Sequence, residues 1–234
     1  MRTQRRPDAR ATLAPEKLVA RQAWSLLRSW IPGTPAVVET RLKRLREYGE
    51  LLLRWNQGVS NLISRNDEIR LVDRHIRESI EPAKLLIESG CKVFVDFGSG
   101  AGLPAIPLQL LGVGERWTLV ESRRNKTLFL RRVEQDFKLE HFTAKTARLE
   151  VIIETEHDDL VCDGFTSRAT MLMSPTLEMA ATIVRPGGKA FLWKGSSWSE
   201  EMEKGRGLWE PQWDFEQAFP VGDGPNVVAI FIRK

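Results

Sequence analysis

The sequence predicts an α/β fold in which seven strands form an open, mostly parallel sheet flanked by helices. Short apolar runs alternate with helical segments from Val93 onward, which is the pattern of strands joined by crossover helices. A turn with three alternating glycines follows the first of these runs directly. The last two apolar runs are separated by a short segment rich in glycine and proline, which predicts a terminal antiparallel pair.

The chain before Val93 is predicted to be helical. Its helices are an amphipathic one through Leu18, Trp24, Leu27 and Trp30, one over 36–57 and one over 69–88 that Pro82 interrupts. We therefore divide the chain into a basic N-terminal extension over 1–35 and a single domain over 36–234. Within that domain, a helical cap over 36–90 precedes a core over 91–234.

We place the core strands where apolar residues recur with a period of two and the core helices where they recur with a period of 3.6. The predicted strands lie at 93–96, 117–121, 141–144, 164–167, 189–194, 213–219 and 227–232. The predicted helices lie at 103–111, 125–137 and 175–184, with a Pro186-Gly187-Gly188 turn after the last one. Crossovers between the parallel strands should be right-handed.

Composition excludes several classes of protein. Hydrophobic residues make up 42% of the chain and charged ones 28%, and no apolar run approaches the roughly 18 residues of a membrane span. Cys91 and Cys162 are the only cysteines, and three histidines are present without metal-ligand spacing. The cysteine and histidine spacing predicts no metal site. We expect a cytoplasmic location, because no apolar signal segment follows Arg5-Arg6, and we expect a monomer.

The glycine turn is the most informative segment. Gly98-x-Gly100-x-Gly102 differs from the G-x-G-x-x-G spacing of dinucleotide enzymes, which place a pyrophosphate at the helix start. Asp96 before the turn would repel a pyrophosphate but suits the ammonium or sulfonium of S-adenosylmethionine. Glu121 ends the next strand, where a ribose hydroxyl pair is usually bound. These residues predict S-adenosylmethionine as the cofactor.

Several further segments follow predicted strands directly. They are 145–148, Ser167-Arg168 and Lys194-Gly195. Because the carboxyl ends of parallel strands meet at one edge of a sheet, these segments and the glycine turn should line one cleft.

Taken together, these motifs resemble the ribosomal RNA small subunit methyltransferase G family, also called glucose-inhibited division protein B. The matching segments are Trp55-Asn56, Arg74-His75, Gly98-Ser99-Gly100-Ala101-Gly102-Leu103-Pro104, Glu121-Ser122, Ser167-Arg168-Ala169 and Pro186-Gly187-Gly188. The resemblance implies a Rossmann-like class I S-adenosylmethionine-dependent methyltransferase. It also implies 16S rRNA or the small ribosomal subunit as partner, and N7 of guanine 527 as the methyl acceptor.

The resemblance also implies a set of cofactor contacts. They are Gly98, Leu103, Glu121, Ala147, Arg148 and Arg168. Arg148 stands where the family usually has an acid, so only its backbone amide can make the equivalent contact. Ala105 in place of a glycine and a longer segment at 149–159 mark a divergent member.

Two residues are candidates for the catalytic side of the cleft. Arginine commonly reads the O6/N7 edge of guanine, so Arg168 could bind O6 or the cofactor; the alternative is a salt bridge at a strand end. His75 either lines the cleft or caps a helix packed over it. Guanine N7 carries no proton, so its methylation needs no general base and we expect no acid–base pair.

Three other functions stay open. The chain could methylate a protein or a small molecule, or it could be an RNA-binding protein that has kept the fold without activity. A dehydrogenase is the third, although the glycine spacing argues against it. Arg123, Arg124, Arg131 and Arg132 are either phosphate contacts or a charged helix face, and the same two interpretations hold for the basic surplus of residues 1–50.

Overall fold

The computed structural model describes residues 13–168 and 170–234. Residues 1–12 of the predicted basic extension and Ala169 of the Ser-Arg-Ala motif lie outside the described residues. The strands are β1 Val93–Phe97, β2 Arg116–Glu121, β3 Phe142–Thr146, β4 Cys162–Arg168, β5 Val184–Lys194, β6 Trp213–Pro220 and β7 Val227–Arg233. The α-helices are α1 Pro15–Arg21, α2 Pro35–Gly58, α3 Arg77–Ile80, α4 Ala83–Glu88, α5 Ala105–Leu110, α6 Arg124–Phe137, α7 Leu149–Leu160, α8 Met173–Ile183, α9 Trp198–Lys204 and α10 Arg206–Trp209.

The seven strands form one sheet in the order β3-β2-β1-β4-β5-β7-β6. The first five in this order are parallel to one another, and β7 runs antiparallel to both β5 and β6. The strand order reverses between β1 and β4, which is where open α/β sheets bind their ligands. This topology confirms the predicted fold class.

The sheet is covered on both faces, as a parallel sheet requires. Phe94 and Val95 are consecutive on β1 and lie in two different apolar clusters, because successive side chains point to opposite faces. One cluster joins Phe94 to α2, α5 and α6, and the other joins Val95 to α7 and α8. Phe94 stacks on Trp117 with ring centroids 4.4 Å apart, and a Cβ on Gly164 would overlap the Phe94 ring.

The N-terminal helices are more broken than the sequence pattern predicts. The predicted helix through Leu18 and Trp30 is two segments, α1 and a 3₁₀ helix over Trp24–Trp30. The indole of Trp24 turns back and donates to the Val19 carbonyl at 2.9 Å, an acceptor at the end of α1 that also receives the Gln22 amide at 3.3 Å. Leu18 and Leu27 lie in the same cluster as Leu45 of α2.

The predicted helix over 69–88 is likewise divided. A 3₁₀ helix over Arg65–Arg70 leads into a π-helical turn over Leu71–Ile76, then α3, and α4 begins after Pro82. The 186–188 turn is not a separate loop but lies inside β5, where pairing moves from Cys162 with Val184 to Gly164 with Lys189. In the described ranges, no helix combines the length and the apolar character that a membrane crossing requires.

Candidate active site

The glycine turn links β1 to α5 at the carboxyl edge of the sheet. Gly98, Gly100 and Gly102 all adopt positive φ, at 71°, 55° and 82°, which a residue with a Cβ rarely does. A Cβ on Gly98 would overlap the side chain of Thr170, whereas one on Gly100 would meet no atom closer than 3.7 Å. Gly98 is therefore held against the end of β4, while Gly100 leaves room for a ligand to approach its backbone.

Glu121 holds the turn from the end of β2. Its side chain is buried, and its two carboxylate oxygens accept the backbone amides of Gly100 at 2.9 Å and Arg123 at 2.8 Å. Each carboxylate oxygen can accept a second hydrogen bond. Glu121 therefore fixes the turn and still has acceptor capacity for a ribose hydroxyl.

Asp96 lies on the other side of the turn and is 1% exposed. Its Oδ1 accepts the Thr166 hydroxyl at 2.6 Å, and its Oδ2 is buried with no hydrogen-bond partner in the part of the chain that is described. Burial raises the pKa of Asp96 to about 7, and the charge of Glu121 acts in the same direction. A buried carboxylate oxygen without a donor is costly, so this atom fits a cationic ligand group.

Tyr48 connects the cap to the glycine turn. Its hydroxyl donates to the carbonyl oxygen of Ala101 at 2.7 Å, although the two residues are far apart in the chain. The phenol is fully buried on α2, and burial raises its pKa. The backbone of the turn is thus held from β2, from β4 and from α2.

The predicted adenine side lies next to Glu121. The Ala147 amide donates to the Glu121 carbonyl oxygen at 3.2 Å, which extends the pairing of β2 with β3. Arg148 is exposed and precedes α7, which contains the whole of the longer segment at 149–159. Leu103 is buried at the opposite end of the turn. The structure thus places Ala147 and Arg148 beside Glu121, at the tip of β3.

Arg168 ends β4, but its guanidinium is bound to the cap. Nη1 donates to the His75 carbonyl at 3.2 Å and to the Ser79 hydroxyl at 3.3 Å. Nη2 donates to the Arg74 carbonyl at 3.0 Å and to Glu78 Oε2 at 2.8 Å. Both terminal nitrogens are therefore occupied, because each carries two protons.

Glu78, the ionic partner of Arg168, is also buried. Its Oε1 accepts the side-chain amide of Asn226 at 3.1 Å. Burial is the main cause that raises the pKa of Glu78 and lowers that of Arg168, and the attraction between the two charges opposes both shifts. The pair lines a cavity of 170 Å³ with Trp193 at the tip of β5.

His75 lies in the π-helical turn and contacts Arg168 rather than the glycine turn. Its Nδ1 is 3.5 Å from Arg168 Nη2, and its Nε2 is buried without a hydrogen-bond partner in the described chain. Burial and the Arg168 charge lower the pKa of His75 to about 4, although Asp67 Oδ2 lies 3.8 Å from Nε2. His75 is therefore neutral near pH 7.

Sequence reasoning missed three residues of this site. Thr166 could have been found, since pairing β1 with β4 places it opposite Asp96. Tyr48 and Thr170 carry no local motif and contact the turn only through tertiary packing. Within the described ranges, no group of three histidine, cysteine or acidic side chains is arranged to hold a metal ion.

The family model described as rRNA small subunit methyltransferase G matches residues 41–225. The chain belongs to this family. The match covers the helices of the cap, the glycine turn and most of the sheet. Family membership confirms the predicted resemblance. It also confirms the prediction of S-adenosylmethionine as the methyl donor.

Individual relatives carry the same name. The protein of Rhodospirillum centenum called ribosomal RNA small subunit methyltransferase G is 34% identical over 168 residues, which is 72% of this chain and 74% of the relative. The protein of that name from Roseiflexus castenholzii is 32% identical over 168 residues, which is 72% of this chain and 71% of the relative.

Solved structures agree on the fold. N-methyltransferase NodS from Bradyrhizobium japonicum, in complex with S-adenosyl-L-homocysteine, aligns with a TM-score of 0.53 at 14% identity, over 80% of this chain and 98% of NodS. The ribosomal protein L11 methylase of Lactobacillus delbrueckii aligns with a TM-score of 0.52 at 13% identity, over 67% of this chain and 79% of its own. At these identities the likeness concerns the fold alone.

Proposed function

We propose that this protein transfers a methyl group from S-adenosylmethionine to N7 of a guanine in 16S rRNA, at position 527 by resemblance. The observation that carries the proposal is the contrast between two acids around Gly100 in a chain of this family. Glu121 is held by two backbone amides, and Asp96 keeps one buried oxygen without a donor among the described residues. An S-adenosylmethionine site needs both a ribose acceptor and an acceptor for a cationic group.

The residues present fit this cofactor. Glu121 would bind the ribose hydroxyls, Asp96 the cationic amino-acid end, and the backbone at Gly98, Gly100, Gly102 and Leu103 would lie against the ligand. Ala147 and the Arg148 amide would lie at the adenine. The bound cofactor supplies an electrophilic methyl group.

The chemistry that this chain supplies is placement. Guanine N7 has an in-plane lone pair and no proton, so the reaction asks no side chain to remove one. Holding N7 in line with the methyl carbon can contribute about 7–11 kcal/mol to lowering the barrier. The neutral His75 and the paired Glu78 are in keeping with a site that positions rather than transfers protons. Arg168 contributes by positioning the cap over the strand tips.

The test uses tritiated S-adenosylmethionine with two acceptors, small subunits that lack the modification and naked 16S rRNA. The expected result is label in RNA and, after borohydride reduction, strand cleavage at guanine 527, because the reduced ring of N7-methylguanine leaves its sugar and the RNA then breaks at that site. Label in RNA without strand cleavage would contradict the assignment of N7 as the acceptor, but not the methylation of RNA. Label in a protein or a small molecule would favour the alternative, a class I methyltransferase with another substrate.

A further inference from the structure

A second charged cavity lies beside the glycine turn. It encloses 440 Å³ and is lined by Ser60 and Asn61, which follow α2, and by Arg123, Arg124, Asn125 and Lys126 at the start of α6. Three of these six residues are cationic and none is acidic. The cavity is thus a positively charged recess between the cap and the tip of β2.

The cations of this recess differ from those further along α6. Arg132 pairs with Asp136 at 2.8 Å, and Arg131 donates to the Ala144 carbonyl oxygen. Arg123, Arg124 and Lys126 have no acidic side chain within 4.0 Å in the described ranges. The recess therefore holds three cations without an ionic partner in the described ranges, whereas Arg132 further along the helix is paired with an acid.

The helix itself adds to this charge. α6 has 14 residues, no acid in its first turn and no side-chain cap at its N-terminus. The start of a helix carries the positive end of the backbone dipole, and cations placed there are unfavourable. An anion in the recess would remove this repulsion and would accept the free amides of the first turn.

Ser60 provides an independent observation. Its hydroxyl oxygen is buried and has no hydrogen-bond partner among the residues that are described. A hydroxyl can donate to a phosphate oxygen, and it completes a lining of hydroxyl, amide and cationic donors. A donor left unused inside a cationic recess indicates an anionic ligand there.

We infer that this recess binds a phosphate of the substrate RNA backbone and so positions the RNA over the methyl donor. The inference rests on the proposed function for the identity of the polymer. The recess adjoins the cofactor site, since the Arg123 amide donates to Glu121 and the Lys126 ammonium lies 3.7 Å from where a Cβ of Gly100 would be. A phosphate held here fixes the register of the RNA and leaves base recognition to the cleft.

The experiment compares the triple variant Arg123→Gln/Arg124→Gln/Lys126→Gln with Arg132→Gln, a control two turns along the same helix. A fluorescent fragment of 16S rRNA that contains the guanine 527 loop is titrated at 50–200 mM KCl. The triple variant should bind it at least tenfold more weakly, with a salt slope reduced by about 0.7–0.9, which is the contribution of one neutralised phosphate. The control should resemble the unsubstituted protein.

Calorimetry with S-adenosylmethionine completes the test, and its dissociation constant should change less than twofold. Thermal melting of the triple variant should match or exceed that of the unsubstituted protein, because the substitutions remove repulsion at the helix start. Unchanged RNA affinity and salt slope would overturn the inference, even if methyl transfer to RNA is intact. Weaker cofactor binding without weaker RNA binding would also overturn it, since the recess would then hold the cofactor carboxylate. Failure of the unsubstituted protein to methylate RNA would instead overturn the proposed function.

Discussion

The tips of β1 and β2 and the tips of β4 and β5 lie along one edge of the sheet, yet their charged side chains differ in how completely they are paired. Within residues 13–168 and 170–234, Asp96 has a buried oxygen with no donor, and the Glu121 carboxylate is bound only by backbone amides. At β4 and β5, Arg168 pairs with Glu78, and Lys194 pairs with Glu201 at 2.9 Å.

The difference in pairing distinguishes strand tips that can bind a ligand from strand tips that hold the structure together. The order of residues in the sequence does not make this distinction. The β1 and β2 tips keep acceptor capacity for a ligand, whereas the β4 and β5 tips use their charges to join the sheet to the cap and to α9. Arg168 and Glu121 follow parallel strands in the same way, but only Glu121 contacts the glycine turn. The following predictions test this division.

The largest effect is expected for Arg168→Ala. The substitution leaves Glu78 buried without its cation, which typically costs about 3–5 kcal/mol of unfolding free energy. Urea denaturation measures the loss, and adding Glu78→Gln to the same chain should recover part of it. If the variant kept its full stability but lost methyl transfer, Arg168 would instead be assigned to substrate binding.

The next effect concerns Glu121→Ala. The ribose loses its charged acceptor, and a hydrogen bond to a charged group is worth about 1.5–3 kcal/mol. S-adenosylmethionine affinity should fall by about 100-fold or more when measured by calorimetry. Glu115→Ala is the matched control, because Glu115 directly precedes the same strand and is exposed. Equal affinities for the two variants would contradict the role of Glu121.

A smaller effect, dependent on pH, is expected for Asp96. Its pKa of about 7 without ligand lies above the ordinary value of 3.8, so a cationic ligand must displace a proton below pH 7. Affinity for S-adenosylmethionine should therefore fall about tenfold from pH 8 to pH 6. Asp96→Asn should bind weakly and without this pH dependence. A flat profile for the unsubstituted protein would contradict the assignment.

The same raised pKa has a consequence for stability. The folded chain retains the Asp96 proton at a higher pH than the unfolded chain does, so ionisation of Asp96 lowers stability as pH rises from about 4 to about 7. Asp96→Asn should therefore melt several degrees higher than the unsubstituted protein at pH 8 and show little gain at pH 4. An equal gain at both pH values would mean that the carboxylate is not the cause.

The smallest effect is expected for His75→Gln. With a pKa of about 4, His75 stays neutral from pH 6 to pH 9 and contributes no inflection to the rate of methyl transfer in that range. The pH profiles of the variant and the unsubstituted protein should have the same shape. His157→Gln, which changes an exposed histidine on α7, is the control. An inflection near pH 6.5 that only the His75 variant lacks would show that His75 titrates during turnover.

The sheet and the glycine turn could be predicted because their signals are local. Strand periodicity, turn glycines and following helices lie within a few residues of one another. The ends of some strands differ from the prediction where tertiary contacts decide them. The strand predicted at 164–167 begins at Cys162, because the next residue, Asp163, accepts the Lys92 and Val93 amides. No helix was predicted over α7, whose residues were treated only as a longer segment. Helices α9 and α10 were also missed; both are short, and α9 buries no residue.

The partners of the site residues were harder to predict. The acceptors of Arg168 lie 89–94 positions earlier in the chain, on segments whose helical period breaks at the π-helical turn. Equally, the sequence pattern shows Asp96 and Glu121 as two similar acids after two strands. Only the packed structure shows that Thr166 and the loop amides leave one of them with a free oxygen.

The bond from Tyr48 to Ala101 has a practical consequence for anyone who wishes to block this enzyme. Because α2 holds the turn from behind, a compound that wedges under this helix and displaces the phenol would deform the methyl-donor loop without entering it. Such a compound would not compete with the cellular pool of S-adenosylmethionine for the donor's own contacts.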